Sequence, residues 1–324
     1  MKITIISFDN WGFNNHLAAN LKKEGHTVRH IDFSNFIHEY PNFLYRYHNF
    51  FLKTIFKKNR KNIFYGNEII KKLKENNEIQ DIILTIKGDF IDPKCILNFK
   101  QYTKKSIAFF NDSTTRCPKI IRVIPNFDEV YSFEKEDCNK YNLKFVTNWI
   151  YETNKNTNEA AEDNFKYQIF NISSIDKRLP VLSKIATQLF ERKINYKFII
   201  FDKKNRNKGD SNIEFITNHV PLNEVNKYIL NAQVLLDINR KGQKGLTFRI
   251  FESLGLEKKL ITTNPDIQNY DFYNPNNILI IDEKKPEIPL DFFNNEYQKI
   301  PQDILQKYTI DGWLSKVIFQ NKDI

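Results

Sequence analysis

The stretch Gly242-Gln-Lys-Gly-Leu-Thr-Phe-Arg249-Ile-Phe-Glu252-Ser-Leu-Gly-Leu-Glu-Lys258-Lys-Leu-Ile-Thr-Thr263 decides how this chain folds. It reads as a glycine-flexed loop, a short helix and a buried strand. Just upstream, Val234–Ile238 reads as another buried strand. Strand, loop, helix, strand is one turn of a parallel α/β domain. The loop-to-helix junction then lies at the carboxyl edge of the sheet, where such domains bind ligands. Arg249 and Glu252 are three residues apart and project from one helix face. Phe248, Phe251 and Leu254 form the docking stripe, so the pair is expected off that stripe, toward the loop edge.

The alternation continues on both sides. In the first half, strands are expected at Lys2–Phe8, Thr27–Ile31, Asp81–Ile86, Lys105–Phe110, Glu129–Ser132 and Lys144–Val146, with helices between them. The helix His16–Glu24 ends at Gly25, a residue suited to a C-cap. In the second half, strands are expected at Tyr167–Ile172, Lys197–Phe201, Ile213–Ile216, Lys259–Thr262 and Asn277–Ile281, and Pro301–Phe319 as one amphipathic helix. The domains expected are 1–150, a polar Asn/Glu/Thr-rich linker 151–163, 164–300, and a closing helix 301–324 that packs back on the first domain.

Chemistry is sought where strands end. One carboxylate, Glu252, can accept hydrogen bonds from two adjacent hydroxyls; the alternative is an exposed surface pair with Arg249. A helix N-terminus offers N–H groups and partial positive charge to a phosphate, so Lys244, Gly245, Thr247 and Arg249 are anion-binding candidates. The alternative is a flexible surface loop with solvated bases. The equivalent turn after the first strand of the second half carries Ser173, Ser174 and Arg178. There the seryl hydroxyls either cap the next helix or reach a phosphate. In the first half Asp112, in Phe109-Phe110-Asn111-Asp112-Ser-Thr-Thr-Arg116, ends a buried strand and is the candidate general base; an Asx-turn is the alternative. Asp9 and Asp89 end two other strands, and Asp9 is the second base candidate. Asp9 precedes Asn10-Trp11-Gly12-Phe13-Asn14-Asn15-His16, so Trp11 and Asn14, with Arg116, are acceptor-side candidates.

The composition bounds the rest. The 324 residues suit two domains, and 28 Phe and 15 Tyr supply core material. No run is long and apolar enough to span a bilayer, and the N-terminus reads as a first strand rather than a signal peptide. Three separated cysteines make neither a disulfide framework nor a metal knuckle, which points to a reducing compartment. No paired-His spacing, P-loop, GxGxxG or GxSxG occurs. The net charge is +10, and the segment Leu44–Lys74 supplies +8 of it with aromatics interleaved. That pattern suits an anionic membrane surface; the alternative is a helix with an aromatic core face and a solvated lysine face. No RNP, zinc-finger or helix-turn-helix signature supports nucleic acid.

Four stretches together resemble bacterial glycosyltransferases of lipopolysaccharide and capsule biosynthesis: Phe127–Asp137, Gln243–Glu252, Lys258–Asn264 and Tyr270–Asn277. The resemblance implies an α/β protein of GT-B fold, two Rossmann-like domains facing each other across a cleft. It implies a nucleotide-sugar donor in the C-terminal half, with Glu252 on the ribose hydroxyls. The acceptor would be a lipopolysaccharide or capsular glycan on the N-terminal half. No metal cofactor is expected, and the site of action would be the cytoplasmic face of the inner membrane. Lys244 stands where the EX7E pattern of retaining members has its first Glu, so stereochemistry stays open. A two-lobed ligand-binding protein without catalysis is the alternative. The absence of GxGxxG, and of Tyr-x-x-x-Lys in a suitable place, argues against an epimerase.

Overall fold

The structure, a computed structural model, describes residues 1–55, 58–153, 165–205 and 211–320. The chain forms two units, one of Met1–Thr147 with the segment from Ile310 onward, the other of Asn148–Thr309.

The first unit holds β1 (Lys2–Ser7), β2 (Thr27–Asp32), β3 (Gln80–Ile86), β4 (Thr103–Phe110), β5 (Glu129–Ser132) and β6 (Lys144–Phe145). They lie in the order β2-β1-β3-β4-β5-β6, every pair parallel. Its helices are α1 (Phe13–Lys23), α2 (Phe43–Ile55), α3 (Arg60–Glu75), α4 (Pro93–Phe99), α5 (Ile120–Val123) and α6 (Lys135–Tyr141). β1 and β3 are buried almost end to end, as strands covered on both faces are, and are rich in Ile and Leu. Helix starts follow local chemistry: Asn59 caps α3, and Asp92 with Pro93 opens α4.

The second unit holds β7 (Tyr167–Ser174), β8 (Tyr196–Phe201), β9 (Glu214–Ile216), β10 (Ala232–Asp237), β11 (Lys259–Thr262) and β12 (Ile278–Ile280). The order is β9-β8-β7-β10-β11-β12, again wholly parallel. This is the doubly wound 3-2-1-4-5-6 arrangement. Its helices are α7 (Leu179–Glu191), α8 (Leu222–Leu230), α9 (Phe248–Gly255), α10 (Asp291–Asn294) and α11 (Gln302–Gln306). The strand order reverses between β7 and β10 here, and between β1 and β3 in the first unit. These switch points are where open α/β sheets leave a crevice for ligands.

Several local expectations change. Pro301–Phe319 is not one helix. After α11 the backbone bonds across to Ile150, whose N–H donates to the Tyr308 carbonyl at 2.8 Å, and Ile150 bridges Thr309. The chain then returns to the first unit as α12 (Ile310–Leu314) and a π-helical turn, Ser315–Phe319. There Trp313 is fully buried, donates to the Thr147 carbonyl at 2.9 Å, and meets Phe109 edge-on. Of the expected linker, Tyr151 is buried against unit two and 154–163 lie outside the described residues. α9 is buried along almost its whole length, so Glu252 sits inside rather than at an exposed edge.

The strand-like run Asn148–Glu152 lies on α9: Asn148 donates to the Leu246 carbonyl, and Trp149 packs edge-on against Phe248. A Cβ on Gly255 would overlap the Glu152 carbonyl oxygen and the Ile150 side chain. Gly255→Ala is therefore expected to destabilise the protein by about 1–3 kcal/mol through overpacking. Chemical denaturation checks this; an unchanged midpoint would refute the close approach.

Candidate functional site

In the second unit, the carboxyl edge at the β7/β10 switch point gathers charge. Asp237 ends β10 and is buried; its carboxylate accepts from the Thr247 hydroxyl at 2.9 Å and the Thr262 hydroxyl at 3.2 Å. Burial pushes the Asp237 carboxyl up, against the Thr247 bond and the charges of Arg178 and Arg249. Thr247 stands at the N-cap of α9, yet its hydroxyl is spent on Asp237, so no side chain caps that helix. One turn on, Glu252 is 4% exposed. It accepts from the Tyr151 hydroxyl at 2.6 Å and pairs with Arg249.

Burial raises the Glu252 carboxyl, and the Arg249 charge and the Tyr151 bond act against it. Burial and the adjacent Glu252 charge also raise the Tyr151 phenol. Arg249 keeps only 11% side-chain exposure; it reaches the Ile172 carbonyl at 3.4 Å and lies over the Phe170 ring. The pair is thus a buried one. Exposed-pair energetics do not apply, and losing one partner would strand the other.

The remaining candidates divide. Arg178 forks onto Asp176 and donates to the Ile238 carbonyl at 2.8 Å, tying β7's turn to β10. Burial alone would raise Asp176; the bonds from Arg178 and the Arg240 charge bring it down instead. Ser173 does not cap α7. β7 runs through Ser174, α7 begins at Leu179, and the Ser173 hydroxyl donates to Asn171 at 3.3 Å. Lys244 is exposed and Gly245 buried in the loop ahead of α9. That loop is ordered by its own bonds, Gln243 donating to the Gly245 carbonyl at 2.9 Å and Asn264 to that of Lys244 at 3.2 Å. Beyond β7, an open depression of about 700 Å³ is lined by Ser174, Asp176, Lys177, Phe201, Asp202 and Lys203. Its volume suits a nucleotide-sized ligand.

In the first unit, Asp9 is committed to structure. Its two oxygens accept the N–H groups of Gly12 (2.9 Å) and Asn14 (2.8 Å), shaping the turn into α1. Asn14 is buried there, while Trp11 remains 37% exposed. Asp112 is tied to Arg116 as an i,i+4 pair and to Lys87 at 3.6 Å. Asp89, one strand away, is 7% exposed, and burial followed by the Asp112 charge raises its carboxyl to about 6. A second network is His30: with the Asn15 carbonyl oxygen at 2.9 Å from Nδ1, that nitrogen donates, and the Ser7 hydroxyl donates to Nε2 at 2.7 Å.

Tyr151, Asp237 and Asp176 join the candidate set only through the structure. The signal was present for Asp237, a carboxylate inside an apolar strand. None marked Tyr151, which reaches Glu252 across 101 positions of sequence.

No family model matches the chain, and no curated protein matches it either. Its architecture does match solved structures. A UDP-forming α,α-trehalose-phosphate synthase from Burkholderia xenovorans superposes with TM-score 0.59 at 10% identity, covering 100% of this chain and 99% of that one. A UDP-GlcNAc 2-epimerase from Neisseria meningitidis, solved with UDP-GlcNAc, gives TM-score 0.54 at 8% identity, covering 98% of each chain. The fold is thus α/β of the GT-B kind, with two Rossmann-like domains.

Asp89 offers a direct test. Its folded pKa lies above the unfolded value of 3.8, so the folded state holds the extra proton between pH 4 and about 6. Stability contributed by Asp89 should fall as pH rises through that window. Relative to wild type, Asp89→Asn should gain up to roughly 3 kcal/mol between pH 4 and 7.5. Urea melts at both pH values read this, and equal gains at both would refute the shift.

Proposed function

We propose that the chain is a glycosyltransferase that takes a sugar from a nucleoside diphosphate and delivers it to a lipid-linked glycan of the lipopolysaccharide or capsule kind. It would act at the cytoplasmic face of the inner membrane. The observation that carries the reading is the β7/β10 switch point. There an α-helix without a side-chain cap starts beside a buried Arg249–Glu252–Tyr151 network. A diphosphate would lie over the start of α9, with Lys244, Thr247 and Arg249 answering its charge and Glu252 turned to the ribose. Arg178 and Ser173 would act behind this set, since Arg178 is already engaged. Preorganised N–H groups and cations that meet the developing diphosphate charge would provide the larger share of catalysis, and no metal is invoked for it.

On the acceptor side, Trp11 is the exposed stacking surface, and Asn14 holds its loop. Asp112 and Asp9, the two base candidates from the sequence, already have partners. Proton acceptance would fall to Asp89, with Asp112, Lys87 and Lys119 as its electrostatic surroundings. Activity should rise with pH through about 6 as Asp89 ionises.

The likeness to a UDP-GlcNAc 2-epimerase favours a second reading, epimerisation of the sugar nucleotide itself. Against it stand the absence of GxGxxG and of Tyr-x-x-x-Lys in a suitable place.

A thermal-shift screen of UDP, GDP, CMP, ADP and dTDP tests the donor site. UDP at about 100 times its dissociation constant should stabilise wild type by roughly 2.7 kcal/mol, a shift of a few degrees. Glu252→Gln keeps the volume and an acceptor for Tyr151, and should bind at least about tenfold more weakly. No shift with any diphosphate would overturn the reading. Incubation with UDP-GlcNAc alone separates the two activities: an epimeric product without acceptor favours the epimerase, acceptor-dependent UDP release the transferase.

A further inference from the structure

Helix α2 carries its hydrophobic residues on the outside. Phe43, Leu44, Tyr47, Phe50, Phe51 and Ile55 are each more than half exposed. At about 100° per residue they fall on one arc of roughly 140°. The residue opposite that arc is Asn49, which is 3% exposed. Its amide donates to the Tyr40 hydroxyl at 2.7 Å and its carbonyl oxygen accepts the Arg60 N–H at 2.9 Å, at the start of α3. A polar side chain therefore fastens the helix, and the apolar side faces water. This reverses the expected alternative for the basic segment, an aromatic face turned into the core. That arrangement holds for α3, where Tyr65, Ile69 and Leu73 are buried, but not for α2.

The charge around this face has one sign. Arg46 and Lys53 border the arc at its Phe50 side, and Lys58 follows the helix. On the other flank Arg60 lies over the Tyr45 ring and bonds His48 at 2.6 Å. The sequence has no Asp or Glu between Glu39 and Glu68. An aromatic and aliphatic face framed by bases, without an acid, complements an anionic lipid surface. A second copy of the same face would set Arg46 and Lys53 against like charges. No helix among the described residues is long and apolar enough to cross a membrane, so α2 would lie in the interface.

We propose that α2 is a membrane-docking helix that inserts the Phe43–Ile55 apolar arc into the interface of an anionic bilayer, with Arg46 and Lys53 at the headgroups. The inference deepens the membrane location in the proposed function and rests on that reading for its sense. Lipid binding and nucleotide binding are nevertheless measured separately.

The test is co-sedimentation of the full chain with vesicles of phosphatidylcholine alone and of phosphatidylcholine with phosphatidylglycerol. Wild type should bind the anionic vesicles at least tenfold more tightly. Phe50→Ser with Phe51→Ser, both at exposed positions, should weaken that binding tenfold or more while leaving the UDP-induced thermal shift unchanged. Arg46→Glu with Lys53→Glu should weaken it at low salt and flatten its salt dependence, since each surface base contributes roughly fivefold. The inference is overturned if wild type ignores anionic vesicles, or if the double serine variant binds them as wild type does. It is equally overturned if sedimentation velocity shows a lipid-free dimer that the serine variant abolishes. Loss of the nucleotide shift with retained vesicle binding would sink the proposed activity and leave α2's role standing.

Discussion

A sheet whose strands all run one way can be closed off from water on both faces but not at its ends. Both sheets here obey that constraint. Their faces are covered by helices and filled with Ile, Leu, Val and Phe. Polar chemistry is thereby driven to the rim where strands give way to loops. At the carboxyl rim the strand order reverses once in each sheet, and the neighbouring loops diverge. Asp237, Thr247, Arg249 and Arg178 meet at one such place; Ser7, Asp9 and Asp89 end the strands that flank the other. None of these positions depends on loop invention. Each follows from where a buried strand has to stop.

Placing ionised groups on the inner side of such a rim has consequences for their neighbours. Glu252 cannot be rehydrated when α9 is docked, so it needs Arg249 and the Tyr151 hydroxyl together. Arg249 in turn needs the Ile172 carbonyl and the Phe170 ring. Removing one member of a buried pair costs about 3–5 kcal/mol because the other is left uncompensated. The network is consequently rigid before any ligand arrives, and its geometry is inherited from three separate strands or segments of the second unit. Asp89 illustrates the opposite arrangement. Lys87 stands nearby but pairs with Asp112, whose own charge opposes ionisation, so burial prevails and the Asp89 carboxyl holds its proton longer.

The alternation of apolar runs and turns made the strands and their parallel class readable. Lys259–Thr262 and Glu129–Ser132 fall where the residues place them, as short, mostly apolar segments bounded by turns and alternating with helical patterns. Strand order was not readable, since it is fixed by crossovers rather than by any local pattern. The break at Tyr308 was hidden for a related reason: a helical stripe continues through it, and a distant backbone partner, Ile150, interrupts it. Among the candidate site residues, the pairing of Arg249 with Glu252 was readable from their spacing on α9. Their burial was missed because period analysis orients a helix but does not count the layers above it. Tyr151 stood in what reads as linker, and only the tertiary structure brings it to Glu252.

The return of the chain to the first unit through α12 has an implication for how the molecule is made. The second unit is one continuous piece of sequence, whereas the first is split by it. Trp313 fills a fully buried place against Phe109, on a strand synthesised some two hundred residues earlier. During translation the first unit must wait with that place unfilled until the second has been made, although domains generally form in the order they emerge. The core of the first unit is therefore completed only once α12 has emerged.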